Sequence, residues 1–472
     1  MQNLSGIYCK VIKNSMKKEE RALNFIIEND VLKKYQGDEE VVVIPNGVQS
    51  IGYGAFEDCA NLRSVSIPES VTYINENAFY DCENLSEVIF SEGLTEIDDL
   101  AFSGCVSLQS IAFPQSVTHI GNIAFCGCCG LKTLNIPKGV KFIGDGAFSH
   151  CENLESVTIS DGVEEIWSGT FADCVSLKEI ILPERLKLIG NGAFKECKNL
   201  ERITLPLGLE SIESCAFKGC GKLRNLEIPN GLKKIGNSAF EECVDLAEIL
   251  IPESVTSVGE SVFSYCTKLR SVTILSDIKS IGYRMFYDCK KLQSVSLPSG
   301  ITEIGRAAFA FCGSLENLTI PQGVTSIGNE AFMLCRSLVA LNLPEGLTVI
   351  SDHMFSYCEK LESVTLPDGI ISIGESAFNR CKSLKELKIP DGVADIGYEA
   401  FRYCESLERI TVPKSVKMIG ENAFAWETIF RRTKFFGRIL VGYGRCLTVC
   451  CHKGSYAHRY AKKKKLPFEV IS

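Results

Sequence analysis

The chain has 472 residues, 58 of them acidic and 50 basic, for a net charge of −8. No apolar run reaches the length of a membrane span, and the first thirty or so residues hold no apolar stretch of the kind that opens a secretory leader. A membrane-spanning chain is therefore excluded and a cytoplasmic location is expected. Charge is unevenly placed: residues 431–472 carry +10, residues 1–43 balance at zero, and residues 44–430 hold −18.

Residues 1–20 mix charged and polar side chains without periodicity, which predicts a frayed tail or a short helix. Two short apolar runs follow, residues 25–27 and 31–35, around the turn-forming Asn29 and Asp30. They predict a hairpin that caps the array behind it, so residues 1–43 are assigned as tail and capping hairpin.

From Ile44 a 23-residue unit repeats without insertion or deletion. The first copy is IPNGVQSIGYGAFEDCANLRSVS, the second IPESVTYINENAFYDCENLSEVI, and the template IPxxVxxIGxxAFxxCxxLxxVx. Phe56 and Cys59 recur as Phe79 and Cys82, and so on to Phe401 and Cys404, sixteen times in register. A unit this short cannot bury its own apolar face, so the copies must stack side by side over one core. Periodicity therefore overrides the expectation that a chain of this length splits into several globular domains, and residues 44–430 are assigned as a solenoid of about 17 coils.

Within a unit, Leu62, Val65 and Ile67 alternate with polar residues, the signature of a half-buried strand. Proline follows at Pro68 and at the same place in fourteen of seventeen units, which fits a strand end because proline cannot donate to a ladder. A second brief strand is expected near Val48 and Ile51. Phe56, Cys59 and Leu62, three apart, predict a single helical turn with one buried face. Parallel strands roughly 4.8 Å apart would give a curved body on the order of 80 Å long.

The IPxxVxxIGxxAFxxCxxL unit resembles the BspA-like leucine-rich repeat, found in bacterial surface proteins and some protozoan parasites. The resemblance covers residues 44–430. It implies an α/β repeat solenoid, a right-handed leucine-rich-repeat horseshoe with parallel β-strands and short helical turns. It also implies adhesion or protein recognition at a cell surface or after secretion, which stands against the cytoplasmic expectation.

The seventeenth unit breaks the template, with Glu427 in place of cysteine, Phe430 in place of leucine, and Trp426 beside them. Residues 431–472 then read as a basic C-terminal cap. A helix should start near Ser455 with Tyr456 and Tyr460 on one face and lysines 462–465 at its C-terminal end, where positive charge complements the helix dipole. A last strand is expected through Phe468 and Ile471. The basic cap reads either as a contact for nucleic acid or anionic membrane, with the repeats as spacer, or as a solvated cap; the second is preferred.

Of 23 cysteines, sixteen occupy the ladder position beside the phenylalanine. Thiols aligned along a solenoid do not converge on a tetrahedral metal, and side-by-side vectors disfavour the disulfide torsion, so they are expected as buried free thiols. The others are Cys9, Cys126, Cys129, Cys215, Cys446, Cys450 and Cys451. Neither the cluster at Cys126, Cys128 and Cys129 nor that at Cys446, Cys450, Cys451 and His452 has zinc-site spacing, and alternation along a strand would send Cys450 and Cys451 to opposite faces. Five scattered histidines form no repeated constellation. No catalytic residue, metal site or cofactor is expected, and no enzyme activity.

Outward positions of the first strand are mostly serine and threonine. Ile89, Ile181 and Leu250 depart from that rule, and Glu179, Arg202, Glu227 and Glu248 lie on rungs near the last two. Exposed apolar side chains rimmed by charge are what interface centres look like. Glu179, Ile181, Arg202, Glu227, Glu248 and Leu250 are therefore the candidate partner-binding residues. The expected partner is an unidentified protein held by a monomer, with no small-molecule substrate and neither nucleic acid nor anionic membrane.

Overall fold

The computed structural model describes residues 24–425, 430–433, 437–440 and 447–471. The tail expected over residues 1–20, and Cys9, Trp426, Glu427 and Cys446, lie outside the described residues. The chain divides into two compact units, Met1–Leu223 and Arg224–Ser472.

In the first unit most coils contribute to two parallel ladders, the first of them interrupted at residues 110–112, which form no strand. Strands Val41–Val43, Ser64–Ser66 and Glu87–Ile89 form one sheet, and Thr133–Ile136, Ser156–Ile159, Glu179–Ile181 and Arg202–Ile203 another. Two-residue strands such as Tyr73–Ile74, Glu96–Ile97 and His119–Ile120 build the second ladder. Within the repeats each pairing joins residues 23 apart, as in Ser156 with Glu179 and Val157 with Ile180. Alternation fixes the faces: Val157 and Ile180 are buried while Thr158 and Ile181 point out. The second unit repeats the plan with Glu248–Ile251, Ser271–Ile274 and Ser294–Ser296 in one sheet, and Ala340–Asn342 with Ser363–Thr365 in another. Each unit is a stretch of parallel-strand solenoid, with about 18 turns along the chain.

The expected helical turn does not form; the stretch between the ladders is a chain of tight turns. In the second repeat the N–H groups of Ala78, Tyr80 and Cys82 donate to carbonyls three residues back, at 3.2, 3.0 and 3.3 Å. Those of Asn77, Phe79 and Asp81 donate instead to Asp99, Ala101 and Ser103 of the next coil, at 3.2, 2.7 and 2.8 Å. A helix needs every successive N–H to bond within its own segment, and here every second one leaves for the neighbour. Asn77 and Asp81 take positive φ, 58° and 54°, to make that zigzag. The same two positions per coil are left-handed throughout the array, so the alternation is the rule of this fold. Among the described residues there is one α-helix, α1 (Tyr456–Lys464).

The phenylalanine of each turn is fully buried and stacks on its copies. In the first unit ring centroids from Phe56 to Phe217 lie 4.7 to 5.7 Å apart, and in the second, from Phe240 to Phe424, 5.3 to 5.9 Å. Beside the rings run the thiols, which are more than filler. Cys82 Sγ donates to the Phe56 carbonyl at 3.0 Å, and thirteen further ladder cysteines repeat the bond at 3.1 to 3.3 Å. The Phe56 carbonyl already accepts the Cys59 N–H at 3.1 Å. Each thiol thus satisfies the second lone pair of a buried carbonyl that would otherwise lack a partner. Burial raises these thiols far above their ordinary pKa, Cys82, Cys335 and Cys404 to about 12.

Both ends continue the aromatic stack. Strands Phe25–Glu28 and Val31–Tyr35 pair antiparallel around Asn29 and Asp30, both at positive φ (50° and 62°), the conformation a two-residue hairpin turn of type I′ requires. Val31 and Leu32 then pair in parallel with Ser50 and Ile51, and the Tyr35 ring lies 5.0 Å from Phe56. At the other end α1 sets Tyr460 edge-on to Phe424 at 6.1 Å, its hydroxyl donating to the Gly420 carbonyl at 3.1 Å. Ser455 caps α1 by accepting the His458 N–H at 3.2 Å, so Ser455→Ala should destabilise the second unit by about 1 kcal/mol in denaturant titration. Strands Arg409–Val412, Thr448–His452 and Phe468–Ile471 pair in parallel, and strands Phe430–Thr433 and Gly437–Leu440 form a hairpin that the template did not announce.

Candidate interaction surfaces

The six sequence-predicted residues fall into two groups, one per unit. In the first unit Glu179 and Ile181 are the outward residues of strand Glu179–Ile181, and Arg202 is the direct cross-strand partner of Glu179. Ile181 leaves 62% of its surface in water, while the outward neighbours Ser156 and Thr158 on the preceding rung are small and polar. A short cleft beside it is lined by Lys132, Glu155, Lys178 and Glu179. Lys178 Nζ bonds Glu155 at 2.6 Å and holds that carboxyl below its usual range, while its own ammonium is raised in turn. Ile89, at 48%, is a second outward apolar residue of this unit and pairs with Ser66.

In the second unit Glu248 and Leu250 project from strand Glu248–Ile251 opposite Ser271 and Thr273, with Leu250 47% exposed. Glu227 is exposed on a segment that forms no strand, so no ladder bond ties it to Leu250. Nearby, Asp245 accepts from Lys268 at 2.6 Å and from Arg224 at 3.3 Å, and both cations lower its carboxyl pKa.

One feature escaped the sequence pattern. The residue before each ladder cysteine has positive φ in every coil. In the first unit this row reads Asp58, Asp81, Gly104, Gly127, His150, Asp173, Glu196 and Gly219, residue types that accept the left-handed region most readily save for Glu196. In the second unit it reads Glu242, Tyr265, Asp288, Phe311, Leu334, Tyr357, Arg380 and Tyr403. Large side chains there cost on the order of 1 kcal/mol each in backbone strain. Apart from the exposed Glu242 the row is half-buried, and its rings and guanidinium stack, in part through Tyr287 beside Asp288. Tyr265 meets Tyr287 at 5.4 Å and Tyr287 meets Phe311 at 5.1 Å. The Arg380 guanidinium lies 5.2 Å from the Tyr357 ring and 4.5 Å from that of Tyr403.

Among the described residues no three His, Cys, Asp or Glu side chains converge as a metal site would require. Cys126 accepts the Ser149 hydroxyl at 3.2 Å, while Cys129 points its thiol to the His150 carbonyl at 3.5 Å. Cys450 and Cys451, expected on opposite faces of their strand, are both buried. The reason is local: Arg409, paired with Glu469, covers Cys450 and donates to its sulfur at 3.2 Å. In the basic cap Lys464 is spent on Glu421 at 3.1 Å.

Comparison with known proteins gives a consistent picture. The chain matches the model of the BspA type leucine-rich repeat region over residues 27–155, 124–246, 187–316 and 302–431. A leucine-rich repeat protein from Bacteroides ovatus of known structure is 30% identical, covering 84% of this chain and 96% of that one with a TM-score of 0.58. A leucine rich cell surface protein from Faecalibacterium prausnitzii is 30% identical over 72% of this chain and 92% of its own, with a TM-score of 0.44. The T. pallidum leucine-rich repeat protein is 36% identical over 37% of this chain and 86% of its own, with a TM-score of 0.36. No curated protein sequence matches the chain.

Proposed function

The chain belongs to the BspA-type leucine-rich repeat family, and from that premise we propose that it is a non-catalytic scaffold, adhesin-like or an interaction module, that holds a protein partner on its repeat surface. The observation that carries the reading is Ile181, a large apolar side chain standing in water beside the Glu179–Arg202 cross-strand pair, next to a rung whose outward residues Ser156 and Thr158 are small and polar. Burying such a side chain against a partner contributes about 1.5 to 3 kcal/mol, and the charged rim steers and aligns the encounter. Leu250 with Glu248, and Glu227 on the same face of the repeat, supply a second contact of the same composition on the second unit. The reading holds in either compartment, inside the cell or at its surface.

Affinity capture from host and bacterial extracts tests it, comparing the unaltered chain with Ile181→Ser/Arg202→Ser and with Glu248→Ser/Leu250→Ser. At least one pair should lose a captured protein, with affinity falling about tenfold or more and the unfolding midpoint unchanged. Capture that survives both pairs overturns the proposal. Replacing Lys462, Lys463 and Lys465 with glutamine is the control for the basic cap. If that change alone abolishes binding to anionic vesicles or nucleic acid and to the captured partner, the cap is the binding element and the repeats are its spacer.

A further inference from the structure

The strained row on the second unit is a surface distinct from the strand faces. Its rungs are consecutive, since the N–H of Phe311 donates to Met333 at 2.7 Å, that of Leu334 to Ser356 at 2.8 Å, and that of Arg380 to Arg402 at 2.8 Å. Large apolar, aromatic and cationic side chains therefore follow one another along neighbouring coils. Structural need does not explain them, because the first unit makes the same turns with aspartate, glycine, histidine and, once, glutamate. Their charges are also incomplete. Asp288 is paired with Lys290 at 3.3 Å, Glu330 with Arg306 at 2.8 Å, and Glu399 with Arg402. Arg284, beside the row at the other left-handed position of the Asp288 coil (φ 51°), and Arg380, in the row, have no carboxylate within ion-pair distance among the described residues. Both are held flat by stacking instead, Arg284 at 4.5 Å from the Tyr287 ring and Arg380 between Tyr357 and Tyr403.

We propose that this row docks an acidic, extended polypeptide segment of a partner protein, whose carboxylates pair with Arg284 and Arg380 while Tyr265, Phe311, Tyr357 and Tyr403 take its apolar side chains. A guanidinium stacked on a ring presents its terminal N–H groups in plane, the Nε of Arg284 being buried, and that planar fork matches a carboxylate in two parallel bonds. Phe311 and Leu334, at the centre of the row, offer apolar contact and no hydrogen bonds, which suits protein side chains better than the hydroxyls of a polysaccharide. The backbone strain at these positions is retained for the contact it allows.

The test uses the full chain and a fluorescent random copolymer of glutamate and tyrosine, read by anisotropy, with labelled heparin as the second probe. Two variants are compared with the unaltered chain, Arg284→Gln/Arg380→Gln and Tyr357→Asn/Tyr403→Asn. Copolymer affinity should fall about tenfold or more in both, heparin affinity should not change, and the asparagine variant should keep or raise its unfolding midpoint because asparagine accepts positive φ more readily. Unchanged copolymer affinity would place any binding on the basic cap and overturn the proposal. So would an equal loss of heparin affinity, which marks a polysaccharide site. A lower midpoint in the asparagine variant with binding retained would make the aromatics structural and overturn it as well.

Discussion

Raising the pH from 8 to 10 should unfold each repeat unit in one steep transition. The cause is the thiol ladder. Cys82, Cys105, Cys128, Cys151, Cys174 and Cys197 in the first unit are buried, and desolvation raises all six above the ordinary value of 9.0. In the unfolded chain they ionise near that value; in the folded chain they stay protonated. Above pH 9 the unfolded state therefore holds fewer protons than the folded one, and stability must fall as pH rises. The contribution is fully present below about pH 9 and is lost progressively toward the folded value, about 12 for Cys82. At pH 10 each thiol gives up about 1.4 kcal/mol, so six give up about 8 kcal/mol, as much as many domains possess. In the second unit Cys266, Cys289, Cys312, Cys335, Cys358, Cys381 and Cys404 act in the same direction. Circular dichroism followed against thiolate absorbance should show both changing together. Thiolate appearing while secondary structure persists would contradict the buried ladder.

Phe309→Ala should destabilise the second unit by about 3 to 5 kcal/mol in equilibrium denaturation. The ring is fully buried, 5.3 Å from Phe286 and 5.6 Å from Phe332, so truncation removes two stacking contacts and opens a void between coils. The rigid turns on either side are tied to their neighbours by hydrogen bonds, Phe309 N–H to the Ala331 carbonyl at 2.9 Å among them, and cannot collapse into the space. A repeat array couples each coil only to its neighbours, so the lesion falls on the interface at this rung. A loss under about 1 kcal/mol would mean that the phenylalanine stack is not what joins adjacent coils.

Much of this fold can be read from the repeat. The 23-residue period fixes the register of the strand pairs between repeats, and the apolar positions Val65, Ile67 and Phe56 are buried as their spacing demands. Asn29 and Asp30 announce the hairpin turn because both tolerate positive φ. The turns could not be read, for a physical reason. Residues three apart, such as Phe56, Cys59 and Leu62, face one way in a helical turn and equally in the zigzag that forms. The two differ in the destination of alternate N–H groups, and that destination lies 23 residues along the chain. The double duty of the Phe56 carbonyl, and with it the donor role of Cys82, is invisible for the same cause.

The surfaces divide in the same way. Ile181 and Leu250 are legible because an exposed strand position should be polar and theirs is not. Tyr265, Phe311 and Tyr357 stand at variable positions of the template, where the pattern sets no residue type. Only the backbone, held at φ of 62°, 65° and 63° there, makes them exceptional. A residue can break a rule of side-chain patterning, which a sequence displays, or a rule of backbone conformation, which it does not.

Regular positions build the stack, and the exceptions on its surface are proposed to hold the partner. Quantitative capture by the chain carrying Ile181→Ser, Arg202→Ser, Glu248→Ser and Leu250→Ser together, with its unfolding midpoint measured on the same sample, separates the two roles. A captured protein should be lost and the midpoint should not change. Undiminished capture, or a midpoint that falls with it, would contradict a binding role for these residues.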